Sequence, residues 1–274
     1  MAESLAGRRI LLTGASSGIG RKAAGMLATR GARLVLVARR AESLRELATE
    51  LVAGGAPAPV VLPADLSRPG LAAEVADRAQ AELGGVDVLV NNAGASVHGL
   101  TWVAGDRTEA RDVFETNLWS PLALAAALVP AMVERGEGVV VNTGSMAQVS
   151  SFPHLGHYSA SRAALASVTE TMRLELRPRG VRVVELALGP VDTASSRANR
   201  VLKGGPEWLE GRPGLGTADE AAAALVKAVE GPAEGVVFYP RVLRWVHALP
   251  GLGRRYARRA ALRADVTDTT VRVV

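Results

Sequence analysis

The stretch that decides the fold runs from residue 10 to residue 20 and reads ILLTGASSGIG. Its first four residues predict a short buried strand, and the residues after the turn predict a helix that begins near Gly18. Glycines at positions 14, 18 and 20 let the backbone turn sharply and approach a phosphate group at the positive end of that helix. The position of this glycine-rich turn, between the first strand and the first helix, favours nucleotide binding over an ordinary strand-to-helix turn.

The same alternation of strand and helix continues along the chain. Further short apolar runs predict strands at residues 34–38, 60–62, 86–90, 138–142, 181–186 and 235–239, and helical patterns lie between them. Such alternation is typical of βαβ units, in which parallel strands are joined by helices. We therefore expect an α/β fold over residues 1–274, a Rossmann-like, doubly wound parallel sheet of about seven strands with helices on both faces.

The composition excludes several classes of protein and site. Hydrophobic residues make up 48% of the chain and charged residues 22%, which excludes a disordered chain. There is no cysteine, so disulfides, thiol nucleophiles and cysteine-ligated metals are excluded. The four histidines show no ligand spacing, and we expect no metal site. The longest apolar run, residues 122–133, is shorter than the roughly 20 residues of a membrane span, so it predicts a buried helix.

Two segments fall outside the repeating pattern. Residues 193–217, rich in glycine, proline and arginine, predict a lid over the ligand edge, with a surface loop as the alternative. Residues 239–263 hold seven arginines and no acidic residue, so the rest of the chain has a net charge of −2. This basic segment fits an amphipathic helix on an anionic membrane surface, a subunit interface or substrate-entrance cover, or a solvated helix. No nucleic-acid recognition motif accompanies it.

Seven motifs in order give the chain a family resemblance. They are residues 13–20, Asp65-Leu66, Asn91-Asn92-Ala93-Gly94, Asn117, Ser145, Tyr158 and residues 189–193 (GPVDT). With them the chain resembles the short-chain dehydrogenase/reductases from residue 8 to about residue 239. The resemblance implies a nicotinamide cofactor, hydride exchange between an alcohol and a carbonyl, and a homodimer or homotetramer. The N-terminus has no apolar signal region, so we expect a cytoplasmic enzyme, with possible peripheral membrane contact through the basic segment.

The end of the second strand predicts which dinucleotide binds. An acidic residue there accepts hydrogen bonds from the ribose 2′-hydroxyl of NAD, whereas a basic residue meets the 2′-phosphate of NADP. The chain has Ala38-Arg39-Arg40 at this position and no acid. A guanidinium binds a phosphate through two hydrogen bonds, and a carboxylate would repel it. We therefore predict NADP(H), with NAD the less favoured cofactor.

The resemblance also implies the residues that bind the cofactor. Asp65 matches the position beside the adenine, and Thr193 matches the residue that holds the nicotinamide carboxamide. For Asp65 and Asn91, turn capping is the alternative role. Leu188 replaces the proline that the family usually has before Gly189. The full predicted set is Gly14, Ser16, Ser17, Gly18, Ile19, Gly20, Arg39, Asp65, Leu66, Asn91, Ala93, Gly94, Tyr158, Arg162 and Thr193.

Four residues are the predicted catalytic set. By resemblance, Tyr158 donates the proton to the carbonyl oxygen, Ser145 hydrogen-bonds that oxygen, and Asn117 holds a relay water through a backbone irregularity. A free tyrosine titrates near 10, so a nearby positive charge is needed for it to act at neutral pH. The family has a lysine four residues after the tyrosine, and this chain has Arg162.

The arginine leaves two functions open. Arg162 keeps the positive charge and can donate to the nicotinamide ribose, but it does not deprotonate. The chain is then either an oxidoreductase in which Arg162 replaces the lysine, or an NADP-binding regulatory protein with weak or no catalysis. Val149, Phe152, Pro153 and Leu155 precede Tyr158. These apolar residues predict a small to medium hydrophobic carbonyl or secondary alcohol as substrate.

Overall fold

The computed structural model describes most of the chain. The described residues are 4–149, 152–193, 196, 216–232, 234–249, 251, 255 and 266–273. Most of the predicted lid, residues 193–217, lies outside the described residues, as does most of the basic segment after residue 249.

The centre of the molecule is a parallel sheet of seven strands. These are β1 (Arg9–Thr13), β2 (Arg33–Ala38), β3 (Val60–Pro63), β4 (Val88–Asn91), β6 (Gly138–Ser145), β7 (Val181–Leu188) and β10 (Gly235–Tyr239). Their order across the sheet is β10-β7-β6-β4-β1-β2-β3. All seven correspond to strands predicted from the sequence, so the predicted fold class is confirmed.

Two further pairs of very short strands stand apart from this sheet. The strand β5 (Val97–His98) pairs antiparallel with β11 (Arg272–Val273). The strand β8 (Val191–Asp192) pairs in parallel with β9 (Gly216–Thr217). The sequence analysis did not predict these four strands, because two residues are too few to form a periodic pattern.

Helices cover both faces of the sheet. They are α1 (Gly18–Ala28), α2 (Ala41–Ala53), α3 (Leu71–Leu83), α4 (Thr101–Ala104), α5 (Thr108–Phe114), α6 (Ser120–Arg135), α7 (Gly156–Leu176), α8 (Ala218–Glu230) and α9 (Leu243–Ala248). Because neighbouring residues of a strand point to opposite faces, Leu12 packs with Leu27 and Leu225 on one face, while Leu11 packs with Leu124 on the other. Burial on both faces explains why the strands read as continuous apolar runs.

The order of the strands in the sheet determines where the ligand crevice lies. From β1 the chain continues outward to β2 and β3, and from β4 it continues in the opposite direction to β6, β7 and β10. The connections therefore diverge between β1 and β4, and a crevice opens at the carboxyl ends of these strands. The turns that follow β1, β4, β6 and β7 meet at this edge, which we call the carboxyl edge.

The predicted long helix at residues 108–134 is interrupted. A π-helical turn, Glu115–Trp119, lies between α5 and α6, whereas Pro130 lies inside α6 without ending it. The run Thr108–Arg135 is long and apolar enough to cross a membrane by length and composition, and 56% of its most apolar window is buried inside the protein. Within this run, α6 packs against α3 and the sheet.

Candidate active site

The glycine-rich turn after β1 is held against the segment that follows β4. Asn92 donates from Nδ2 to the Thr13 carbonyl oxygen at 3.0 Å, and Thr13 Oγ1 accepts from the backbone nitrogens of Asn92 and Ala93, both at 3.0 Å. Gly14 has φ +69°, and a Cβ there would lie 2.8 Å from Asn92 Nδ2. Position 14 therefore requires glycine, because both the backbone conformation and the close approach exclude a side chain.

This turn fits the phosphates of a dinucleotide. The helix α1 begins at Gly18, and Ser17 before it makes no side-chain capping hydrogen bond within the described part of the chain. The first backbone N–H groups of α1 are thus available to an anion at the positive end of the helix. Thr193 also reaches this turn, because its Cγ2 lies 3.5 Å from where a Cβ on Gly18 would stand.

Two exposed arginines follow β2 beside the same turn. Arg40 donates from Nη2 to Ser16 Oγ at 3.2 Å, and Arg39 is solvent-exposed. The predicted cofactor-binding set included Arg39 but not Arg40, although the sequence analysis had noted the Arg-Arg pair. Two exposed arginines therefore follow β2, and one of them contacts the glycine-rich turn.

Three of the predicted cofactor residues make structural contacts of their own. Asp65 accepts from Ser67 Oγ at 2.9 Å and from Ser67 N at 3.2 Å, which is the turn-capping role considered as an alternative. Asn91 is buried and donates from Nδ2 to Asn142 Oδ1 at 2.8 Å. The carbonyl of the buried Leu66 accepts from Ser120 Oγ at 2.7 Å. Their contact with a cofactor stays a prediction.

Asn117 connects three elements from within the π-helical turn. Its Nδ2 donates to the Ala95 carbonyl at 2.9 Å and to Ser161 Oγ at 3.0 Å, while its Oδ1 accepts from Ala95 N at 2.9 Å. The side chain is fully buried. The π-helical turn is the kind of backbone irregularity that the family resemblance implied at this residue, and such turns are frequent at functional sites.

The helix α7 carries Tyr158 and Arg162 one helical turn apart. The guanidinium carbon of Arg162 lies 5.5 Å from the centroid of the Tyr158 ring, within the range of a cation–π contact. Arg162 Nη1 donates to the Thr143 carbonyl oxygen at 2.8 Å. A Cβ on Gly94 would collide with Arg162 Nη2. The arginine therefore points into the carboxyl edge beside the tyrosine, and Gly94 leaves room for its planar group.

The charge of Arg162 has no carboxylate partner among the ion pairs of the described residues. The residue is 6% exposed, and its Nε is buried with no hydrogen-bond partner in the part of the chain that the structure describes. A buried donor without a partner is costly and therefore calls for an explanation, of which a bound ligand is one. An unpaired donor beside Gly94 and Tyr158 fits a site that binds a polar ligand, such as the ribose of a dinucleotide.

Ser145 ends β6 on the same edge, two residues after Thr143. It caps a short 3₁₀ helix, Met146–Gln148, and its Oγ accepts from Ala147 N at 3.2 Å. Because the hydroxyl accepts here, its own proton is free to be donated to another oxygen. The sequence analysis did not anticipate the neighbours that hold this serine, Gln148 and the buried Glu185, although an acidic residue inside the apolar strand β7 was a visible signal.

The residues at the two ends of the predicted lid are joined by a short strand pair. Strand β8 pairs with β9, and the hydroxyl of Tyr239 donates to Glu220 Oε2 at 2.5 Å. Burial and the neighbouring Glu220 carboxylate raise the pKa of Tyr239 to about 12. The hydrogen bond from Tyr239, with those from Thr217, lowers the pKa of Glu220. Both groups therefore keep this hydrogen bond through the neutral pH range.

Comparison with known proteins shows which family the chain matches. Residues 8–201 match the family model described as short chain dehydrogenase. The chain is 36% identical over 230 residues to dehydrogenase/reductase SDR family member 7B of Bos taurus, covering 80% of this chain and 70% of that protein. It is 35% identical over 256 residues to a fatty acyl-CoA reductase of Mycobacterium tuberculosis (strain ATCC 25618 / H37Rv), covering 92% and 83%.

A solved structure agrees with these relatives. A short-chain dehydrogenase from Sphingobium yanoikuyae, solved in complex with NADPH, superposes on the chain with a TM-score of 0.77 at 30% identity. The match covers 96% of this chain and 98% of that structure.

Proposed function

Because this chain belongs to the short-chain dehydrogenase/reductase family, we propose that it is an NADP(H)-dependent oxidoreductase that interconverts a secondary alcohol and a carbonyl. The substrate in this proposal is a small to medium hydrophobic molecule. The observation that carries the proposal is the position of Arg162, buried against Thr143 and beside the Tyr158 ring at the carboxyl edge.

In this reaction the chain supplies a proton donor, a hydrogen-bond donor and a positive charge. When bound, the nicotinamide cofactor gives or accepts the hydride. In the direction of reduction, Tyr158 donates its proton to the carbonyl oxygen as negative charge develops there. Ser145 donates a hydrogen bond to the same oxygen, and Arg162 keeps a permanent positive charge beside the phenol. Asn117 fixes the α7 side of the site through Ser161 and is proposed to hold a relay water.

The choice of NADP(H) rests on the charges at the end of β2. Arg39 and Arg40 are exposed beside the glycine-rich turn, and Arg40 already contacts Ser16. The related short-chain dehydrogenase from Sphingobium yanoikuyae was solved with NADPH. We expect an Arg39→Ala/Arg40→Ala variant to raise KM for NADPH by ten-fold or more and to leave KM for NADH within about two-fold. Equal use of both cofactors by the parent would contradict the proposal.

The test of the reaction is NADPH oxidation with a panel of apolar ketones and aldehydes. The parent should oxidise NADPH with at least one of them, and Tyr158→Phe, which removes the proton donor and keeps the ring, should lose nearly all of that rate. The second candidate is an NADP-binding protein with weak or no catalysis, and the exchange of the family's lysine for Arg162 is the observation in its favour. NADPH binding without turnover on the whole panel would select this second candidate.

For assembly and location we propose a cytoplasmic homodimer or homotetramer that contacts membranes peripherally. Trp119 and Leu174 are large apolar residues on the surface, and burial against a second copy would remove them from water. The membrane contact is assigned to α9 and the residue on either side of it, since Val242, Trp245 and Leu249 are exposed. Light scattering of the purified protein tests the assembly, and a monomer at micromolar concentration would contradict it.

A further inference from the structure

A buried carboxylate lies behind Ser145 in a strand that is otherwise apolar at its centre. Glu185 is in the middle of β7 and is 4% exposed. A carboxylate in such a place is costly unless a donor satisfies it. Glu185 Oε1 accepts a hydrogen bond from Gln148 Nε2 at 2.8 Å. The role of the acidic residue at this position therefore depends on its hydrogen bond with Gln148.

Gln148 connects Glu185 to the backbone of Ser145. Its Oε1 accepts from Ser145 N at 3.4 Å, while Ser145 Oγ accepts from Ala147 N at 3.2 Å, so the 3₁₀ helix begins with a capping box. The two ends of a glutamine amide have nearly the same shape but opposite hydrogen-bonding roles. An ionised carboxylate only accepts, so it requires the NH₂ end of Gln148. The carbonyl end then has to face the N–H of Ser145.

The neighbouring backbone is adapted to this contact. A Cβ on Gly144 would lie 2.5 Å from Glu185 Oε1 and 3.1 Å from Gln148 Oε1. The strands β6 and β7 pair through this region, with Ser145 opposite Leu188. The carboxylate can approach Gln148 because position 144 has no side chain. Gly144, Gln148 and Glu185 thus form one unit, which we call the serine support.

We propose that Glu185 is a positioning residue that fixes the amide of Gln148 and, through it, the backbone and hydroxyl of Ser145. The inference rests on the proposed function, in which Ser145 hydrogen-bonds the substrate oxygen. A displaced serine weakens the stabilisation of charge on that oxygen more than it weakens cofactor binding. Loss of the serine support should therefore lower kcat and leave KM for NADPH unchanged.

The sharpest test exchanges the two side chains. Gln148→Glu brings a second carboxylate against Glu185, and the two groups repel each other unless they share a proton, so kcat is compared at alkaline pH, where both are ionised. We expect kcat to fall by ten-fold or more, with KM for NADPH within two-fold of the parent. Adding Glu185→Gln restores a donor opposite the carboxylate at position 148, which still accepts from Ser145 N–H, since glutamate also serves in a capping box. The exchanged pair should recover kcat to within about three-fold of the parent.

A second measurement tests the same contact with other variants, in case the variants of the exchange fold poorly. In a double-mutant cycle, Glu185→Gln should change kcat several-fold in the parent and hardly at all in Gln148→Ala, because the two act through one contact. Glu170→Gln, on the exposed face of α7, is the matched control and should leave kcat and Tm unchanged. An exchanged pair no more active than Gln148→Glu alone, or additive effects in the cycle, would overturn the inference.

Ser145→Ala separates this inference from the proposed function. If that variant keeps the parent's kcat, the role of Ser145 in the proposed function is wrong. If Ser145→Ala loses activity while both Gln148→Glu and Glu185→Gln keep the parent's kcat, the proposed function stands and the inference about Glu185 fails.

Discussion

At the scale of single residues, Arg162 sets this chain apart from the pattern of its family. The guanidinium uses one arm on the Thr143 carbonyl, and its other arm occupies the space beside Gly94. A lysine would offer a single ammonium on a flexible stem and could not occupy both places. The geometry therefore favours a site built around the guanidinium over one that an arginine merely impairs.

The substitution Arg162→Lys tests this directly. We expect kcat to fall by ten-fold or more, equivalent to about 1.4 kcal/mol or more in the activation free energy, because the ammonium leaves either Thr143 or the Tyr158 ring without its partner. Steady-state kinetics with the best substrate of the panel measures the effect. Arg173→Lys, at the other end of α7, is the control for a general effect of replacing arginine. A ten-fold rise in kcat for Arg162→Lys would show instead that the arginine is an impaired replacement.

At the scale of elements, the strands that carry the site are anchored at their opposite ends by an ion pair. Asp87, just before β4, accepts from Arg9 N at 3.0 Å and from Arg9 Nε at 2.9 Å, and Arg9 belongs to β1. Burial alone would raise the pKa of Asp87, but the hydrogen bonds and charge of Arg9, with the charge of Arg135, outweigh it and lower the pKa below its ordinary value of 3.8. The contact joins the two strands between which the crevice opens.

Replacement of this carboxylate should cost stability in a pH-dependent way. A lowered pKa means that the ion pair contributes fully above about pH 4 and that its contribution is lost as the pH falls through the lowered value. We expect Asp87→Asn to reduce the free energy of unfolding by about 2 kcal/mol at pH 7, from the lost charged hydrogen bonds, and by less in acid. Urea unfolding at several pH values measures the difference, and Asp77→Asn on the exposed face of α3 is the matched control. Equal losses at pH 7 and pH 3 would contradict this assignment.

At the scale of the whole molecule, the described end of the basic segment lies against the carboxyl edge. A Cβ on Gly189 would lie 2.6 Å from Leu243 Cδ1, so α9 packs on the turn that follows β7. Val242, Trp245 and Leu249 are 64%, 59% and 53% exposed, and Arg244 lies over the Trp245 ring at 4.9 Å. An apolar surface with arginines around it is complementary to an anionic lipid surface. The same face would bring the site close to a hydrophobic substrate held in a membrane.

Binding to lipid vesicles tests this surface. We expect the protein to sediment with vesicles that contain anionic lipid at low ionic strength and to be released at high salt, because screening weakens the attraction of the arginines. Trp245→Ala should weaken sedimentation at every salt concentration, and Trp102→Ala, which removes a more exposed tryptophan on α4, should not. No sedimentation at low salt, or an unchanged sedimentation of Trp245→Ala, would contradict a membrane contact through α9.

The sequence by itself determined the fold class, and it supplied the candidate site residues, whose roles stay predictions. Buried parallel strands have to be continuously apolar, so all seven were visible as runs, and the glycine at position 14 was visible because no other residue tolerates that turn. Tyr158 and Arg162 were predicted from the family resemblance, and their separation of four residues predicted that they share one face of a helix.

The tertiary structure alone decided which of these residues touch. Arg162 meets the Thr143 carbonyl, Asn92 holds the glycine-rich turn, and Glu185 reaches Gln148, all across elements far apart in the chain. No local pattern encodes these contacts, because they depend on the sheet order and on the register between β6 and β7. The direction of a buried side chain follows from the space that its neighbours leave, and that space exists once the chain has folded.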